Sequence, residues 1–335
     1  MKKQDIKIAM FEVQHYEEEF VESYKGQDFL TLTSTKQALS EDTIGHAKGV
    51  DGVSVLNRTL LNAQLLNMLK DVGVKHISVR TVGFDNIDLP YAKKLGFSVS
   101  HLRYPSHNVA DYTVMLILMA LRKASETMLN INAGNFAQEI GLRGFEMRSL
   151  SVGIIGAGKI GRAVIDRLIG FGCSILVYDE YKDAAIEKVA KYVSLDEIYA
   201  KSDIISLLVP LNEHTMHLIN TVAIAKMRKS PILVNTARGG VVDTAALLDA
   251  LDTGRISYAA LDVIEDEHLI LRPTHGQTVD KNSLLMRTIN HKKVLFTPHI
   301  AFFTREVCSA MVDAGINSIV LEMGGEQNPN RVLVK

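Results

Sequence analysis

Short apolar runs, four to eight residues long and separated by mixed helical stretches, punctuate the chain in two series. The first series, at 7–11, 31–34, 52–56, 76–80 and 97–101, has the length and β-branched content of buried strands. The second, at 151–156, 174–179, 203–210, 231–237, 258–264 and 294–300, repeats the pattern with six runs. Strands alternating with helices predict parallel sheets, so the fold class is α/β with two Rossmann-like doubly wound parallel-sheet domains. Between the series, 108–122 is apolar nearly all round and reads as a helix buried between the lobes, with a core helix of a single lobe as the alternative. A last helical stretch, 305–322, could return to the first lobe. The reading is therefore a first domain of 1–103 plus 301–335, split around a second domain of 104–300.

The second series opens on Gly156-Ala157-Gly158-Lys159-Ile160-Gly161, directly after an apolar strand. Here Gly156 allows a tight turn, Gly158 lets the backbone approach a pyrophosphate, and Gly161 lets the next helix pack on the strand. The helix N-terminus supplies N–H groups for the anion. The next strand ends at Asp179, placed to take ribose hydroxyls, and Glu180 follows it with no arginine for a 2′-phosphate. The expected cofactor is NAD rather than NADP.

Composition narrows the classes. With 335 residues, 47% hydrophobic and a net charge of −1, the chain can bury large cores and has little electrostatic drive toward nucleic acid or anionic lipid. The longest apolar run, 114–121, is too short to span a bilayer, and 1–6 lead into a strand-like segment with no signal-peptide pattern. Two cysteines, Cys173 and Cys308, give no disulfide framework, so the expectation is a cytoplasmic enzyme.

Candidate chemistry collects where ligands bind open parallel sheets, at the carboxyl ends of strands. Arg238, Glu267 and His299 each follow such an end. Reducing a 2-oxo acid needs a fixed positive charge for the carboxylate, a proton donor for the carbonyl oxygen and a hydride. Arg238 offers the planar fork and His299 the acid, with Glu267 as its partner. The glycine turn at Thr81-Val82-Gly83 offers backbone donors, and Asp262 could hold the nicotinamide side or support the histidine. His214 and His217 prompt a metal reading, but no cysteine or carboxylate cluster completes a site, so no metal is expected and a solvated loop or helix face is the ordinary alternative.

At these residues the sequence resembles the D-isomer-specific 2-hydroxyacid dehydrogenases, and within them the D-lactate dehydrogenase branch. The resemblance is carried by the glycine motif in mid-chain, Asn235-Thr236-Ala237-Arg238-Gly239, Ala260-Leu261-Asp262-Val263 with Glu267, and Thr297-Pro298-His299. The intervals of 29 residues from Arg238 to Glu267 and 32 from Glu267 to His299 fit that branch. Residues 110–120 and the insertion between Glu267 and Val294 are similar to the D-lactate dehydrogenases of vancomycin-resistance clusters. The resemblance implies a flavodoxin-like catalytic lobe around an inserted NAD lobe, a homodimer built on the NAD lobe, and cleft closure. It implies the catalytic roles above and NAD contacts at Gly156, Gly158, Lys159, Ile160, Gly161, Asp179, Val209, Pro210, Asn212, Thr236, Ala237 and Asp262. Substrate would meet Val82, Gly83 and Arg238. One departure stands near 56–58, where Asn57 occupies a place in which lactate-forming relatives often present tyrosine. Tyr104, Phe302 and Phe303 could then give an apolar wall for methyl, branched or aromatic 2-oxo acids. The alternatives are a dehydrogenase of formate, phosphite or 3-phosphoglycerate, and a dinucleotide-sensing scaffold without turnover.

Overall fold

A computed structural model describes residues 5–57, 59–84, 86–103, 106–271 and 278–333. The chain forms two compact units, Met1–Pro105 with Phe303–Lys335, and Ser106–Phe302. The divisions fall two residues beyond those read from sequence. Ser106 is the N-cap of the helix His107–Leu121, and Asn108 of that helix donates to the Phe302 carbonyl at 2.8 Å, which keeps both ends in the second unit.

In the first unit β1 (Ile6–Met10), β2 (Leu30–Ser34), β3 (Gly52–Val55), β4 (His76–Val79) and β5 (Ser98–His101) make a parallel sheet of order β2-β1-β3-β4-β5, the flavodoxin-like winding. Alternation along each strand sends apolar side chains to two faces. On one, Ile6, Ile8 and Met10 meet Val312, Ile316 and Ile319 of the returning helix Arg305–Met323. On the other, Val53, Val55, Ile77 and Val79 meet Leu65, Leu66 and Leu69 of the helix Ala63–Asp71.

The second unit holds β6 (Ser151–Ile155), β7 (Ser174–Tyr178), β8 (Lys191–Tyr192), β9 (Ile204–Leu207), β10 (Ile232–Asn235), β11 (Tyr258–Leu261) and β12 (Val294–Phe296), all parallel. Their order, β8-β7-β6-β9-β10-β11-β12, reverses direction between β6 and β9, the switch point where such folds bind nucleotides. The sheet has seven strands where the sequence reading expected six; β8 pairs only two residues with β7, too few to leave a periodic signal. Ile154 faces the helices His107–Leu121 and Lys159–Ile169, while Ile155 faces the opposite layer with Leu247 and Leu251 of the helix Thr244–Asp252. The all-apolar stretch near 108–122 is thus a core helix of this unit, packed on the glycine-loop helix and on β10 and β11.

Candidate active site

The glycines behave as their spacing requires. Gly156 has φ +98° and lies so close to Leu208 that a Cβ would sit 2.7 Å from its carbonyl oxygen. At Gly161 a Cβ would come within 2.0 Å of the Gly156 carbonyl oxygen, so only glycine lets the helix Lys159–Ile169 approach β6 this closely. Gly158, the N-cap of that helix, has nothing within 4 Å of a built Cβ. Open space over an 11-residue helix start is what a pyrophosphate needs.

Beside this loop a cavity of about 870 Å³ is lined by Gly156, Ala157, Gly158, Asp179, Val209, Pro210 and Asn212. Asp179 does more than face it. Its Oδ2 accepts the Ala157 N–H at 2.6 Å and its Oδ1 the Tyr181 N–H at 2.8 Å, so the carboxylate braces the glycine loop. Asn212 accepts from the His214 and Thr215 amides through Oδ1, fixing the turn after β9. Lys159 and Ile160 form the first turn of the glycine-loop helix and are not part of the cavity wall.

Two further strand ends carry the charged groups. Thr236 is buried, and its hydroxyl lies 2.8 Å from that of Thr113. Thr113 donates its single proton to the Val109 carbonyl at 2.7 Å, so Thr236 is the donor between them and keeps its lone pairs on the other side. Ala237 and Arg238 follow; Arg238 donates through Nη1 to the Ala237 carbonyl at 2.8 Å. The next residue must be glycine, because a Cβ on Gly239 would lie 2.2 Å from the backbone of Ile264. This contact sets the Arg238 loop against the loop that carries Glu267.

Glu267 and His299, 32 residues apart in sequence, meet with Oε1 2.6 Å from Nδ1. The other Glu267 oxygen accepts the Ile264 N–H at 3.1 Å, so the carboxylate is oriented from two directions. The strand expected to run to residue 300 stops at Phe296 because the chain turns there: His299 has φ +55°, a left-handed conformation that favours glycine. Asp262 holds it in place. Buried to 1% exposure, it accepts from Thr297 Oγ1 at 2.6 Å, Ile300 N at 3.0 Å and Ala301 N at 2.9 Å, while its carbonyl takes the His299 N–H at 2.8 Å. These bonds hold the turn that carries His299. The Phe302 ring sits edge-on to the His299 ring, centroids 6.4 Å apart.

Val82 and Gly83 close β4 in the first unit, where Phe303 also belongs, edge-on to Tyr16 at 4.9 Å. Tyr104 lies outside the described residues. His217 differs from the solvated reading: its Nε2 lies 2.6 Å from Glu265 Oε1, and this carboxylate pushes its pKa upward. His214 instead lies exposed beside Glu213, and no group of three metal-ligating side chains occurs among the described residues. The sequence reading found neither Glu265 as the partner of His217 nor Ala157 as that of Asp179, since both bonds join loops far apart in the chain.

Residues 114–301 match the sequence model described as D-isomer specific 2-hydroxyacid dehydrogenase, NAD binding domain. The chain is 36% identical to a D-lactate dehydrogenase of Lactiplantibacillus plantarum, covering 93% of this chain and 95% of that one. It is 40% identical to a D-specific alpha-keto acid dehydrogenase of Enterococcus faecalis over 82% of this chain and 84% of the other. Among solved structures, a D-lactate dehydrogenase of Aquifex aeolicus complexed with NAD and lactic acid superposes with a TM-score of 0.87 at 31% identity, covering 98% of this chain and 99% of that one. With its flavodoxin-like and nucleotide-binding sheets, its glycine loop and its His299–Glu267 pair, the chain belongs to the D-isomer-specific 2-hydroxyacid dehydrogenases, NAD-dependent oxidoreductases acting on CH–OH groups.

Proposed function

We propose that the protein reduces a small 2-oxo acid to its D-2-hydroxy acid, with pyruvate or a larger apolar 2-oxo acid as substrate. The observation that carries this reading is the 2.6 Å bond from His299 Nδ1 to Glu267, which leaves Nε2 as the nitrogen able to give a proton. Bound NADH supplies the hydride. His299 gives its Nε2 proton to the carbonyl oxygen as that oxygen gains charge, while Glu267 holds the ring through Nδ1. Arg238 neutralises the substrate carboxylate and polarises the carbonyl. The Val82 and Gly83 amides receive the carboxylate. Asp179 would take the adenosine ribose hydroxyls, and Val209, Pro210, Asn212, Thr236, Ala237 and Asp262 would hold the rest of the bound cofactor.

Following NADH oxidation by the loss of reduced-nicotinamide absorbance with pyruvate, 2-oxoisocaproate and phenylpyruvate, and resolving the product on a chiral column, tests it. The D product with at least one acid is expected; a bound NADH with no turnover of any would leave the dinucleotide sensor as the better reading.

The reading extends to a homodimer formed on the nucleotide unit. The helix Ala124–Asn132 buries none of its residues, and Leu129, Phe136, Ile140 and Phe145 are 67%, 78%, 83% and 65% exposed. An apolar surface of that kind favours a second copy of the chain. Light scattering behind size exclusion should give twice the 37.0 kDa chain mass. Both cysteines are free, which supports a cytoplasmic location.

A further inference from the structure

The loop that closes β4 is organised around a side chain to which the reduction assigns no part. His101, the last residue of β5, places Nδ1 2.9 Å from the Val82 carbonyl oxygen. Arg103 donates its Nε–H to the other ring nitrogen, Nε2, at 3.2 Å. A guanidinium has no lone pair to offer, so Nε2 is the acceptor and the ring proton resides on Nδ1, from which it is donated to Val82. Phe84 packs edge-on against the same ring, centroids 4.8 Å apart. Thr81 closes the loop from within, donating its hydroxyl to the Gly83 carbonyl at 2.6 Å.

What these contacts hold is one peptide plane. The Val82 carbonyl and the Gly83 N–H belong to the same rigid trans unit and point in opposite directions. Fixing the carbonyl therefore fixes where the N–H points. A donor on the carbonyl also draws charge through the amide and makes its N–H a stronger donor, and Arg103 behind the ring adds to that polarisation. We propose that His101 is a positioning residue for the substrate carboxylate, aiming and strengthening the Gly83 N–H through the Val82–Gly83 peptide. The inference rests on the reading that this loop receives the carboxylate. His101 itself touches neither the reacting carbon nor the cofactor in this scheme.

Two variants separate this role from a structural one. His101→Phe keeps a ring against Phe84 but has no donor, whereas His101→Asn restores an N–H close to the position of Nδ1. Oxamate, an unreactive isostere of pyruvate, probes the site in NADH-saturated enzyme. His101→Phe should weaken oxamate and raise KM for the 2-oxo acid about five- to tenfold, the scale of one hydrogen bond, with kcat and the NADH KM within about twofold. His101→Asn should recover both to within about twofold. An unchanged oxamate Kd in His101→Phe, a loss confined to kcat, or an asparagine variant as impaired as phenylalanine would each overturn the proposal. The Gly83 amide resonance of the wild-type protein tells this failure from that of the parent reading. Oxamate should move it downfield. No movement would remove the loop as the carboxylate site, while movement combined with normal oxamate binding by His101→Phe would remove only the role of His101.

Discussion

His299 and His217 lie in the same unit, and locally they are near twins. Both have left-handed backbone, φ +55° and +50°, and both put a ring nitrogen 2.6 Å from a glutamate oxygen. Their partners, Glu267 and Glu265, are two residues apart in one loop. The nitrogen used differs. His299 commits Nδ1, next to its own backbone, and leaves the outer Nε2 out of the pair. His217 commits Nε2, its backbone N–H donates to the Gly240 carbonyl at 2.8 Å, and the second oxygen of Glu265 receives the Thr244 amide at 2.8 Å. One arrangement leaves the outer nitrogen out of the pair; the other ties three loops together. The same residue pair therefore differs in which ring nitrogen it leaves available, and on the proposed function only His299 leaves the outer one.

Substitutions should separate the twins. The largest effect belongs to His299→Gln, which keeps a polar side chain but no titratable proton: kcat for oxo-acid reduction should fall about a hundredfold or more with NADH binding retained. Activity near wild type would assign the proton to another acid. Asp262→Asn comes next, because an amide presents a donor where three donors converge; about tenfold or more in kcat and roughly 1.5–3 kcal/mol of stability should be lost, read from kinetics and urea unfolding. For Asp179→Ala the NADH KM should rise about tenfold, as both the ribose acceptor and the brace on the Ala157 amide go.

His217→Gln should be the mildest in turnover, within about threefold. Its signature lies in stability against pH. Glu265 raises the folded pKa of His217 above its unfolded value, so the stabilisation is fully present below the unfolded value of about 6.5 and is lost as pH rises through the folded value. With the side chain 42% exposed, the gap stays under about 1 kcal/mol. Thermal midpoints of the two proteins should differ at about pH 5.5 and converge at about pH 9, where the unprotonated ring contributes no charge. A gap that widened toward alkaline pH would refute the brace.

Much of this was legible in the chain because it is local. The runs at 76–80 and 151–156 are strands since their apolar residues are contiguous and end in polar punctuation, and the glycine loop is recognisable because three backbone requirements fall within six residues. The failures have the opposite character. β8 is two residues long, the last strand ends early because Asp262 captures the turn behind it, and His217 is paired by a residue 48 positions away. None of these leaves a mark within the window that periodicity reads.

Sequence alone determined the α/β class, the glycine loop with its acid, and the identity of the three polar residues at strand ends, because backbone preference and side-chain chemistry belong to each residue wherever it lies. Tertiary structure alone decided which nitrogen each histidine presents, that Asp262 pins a left-handed His299, and that His101 grips the Val82 carbonyl. Hydrogen bonds act over about 3 Å, and only the folded sheet brings those atoms within that reach.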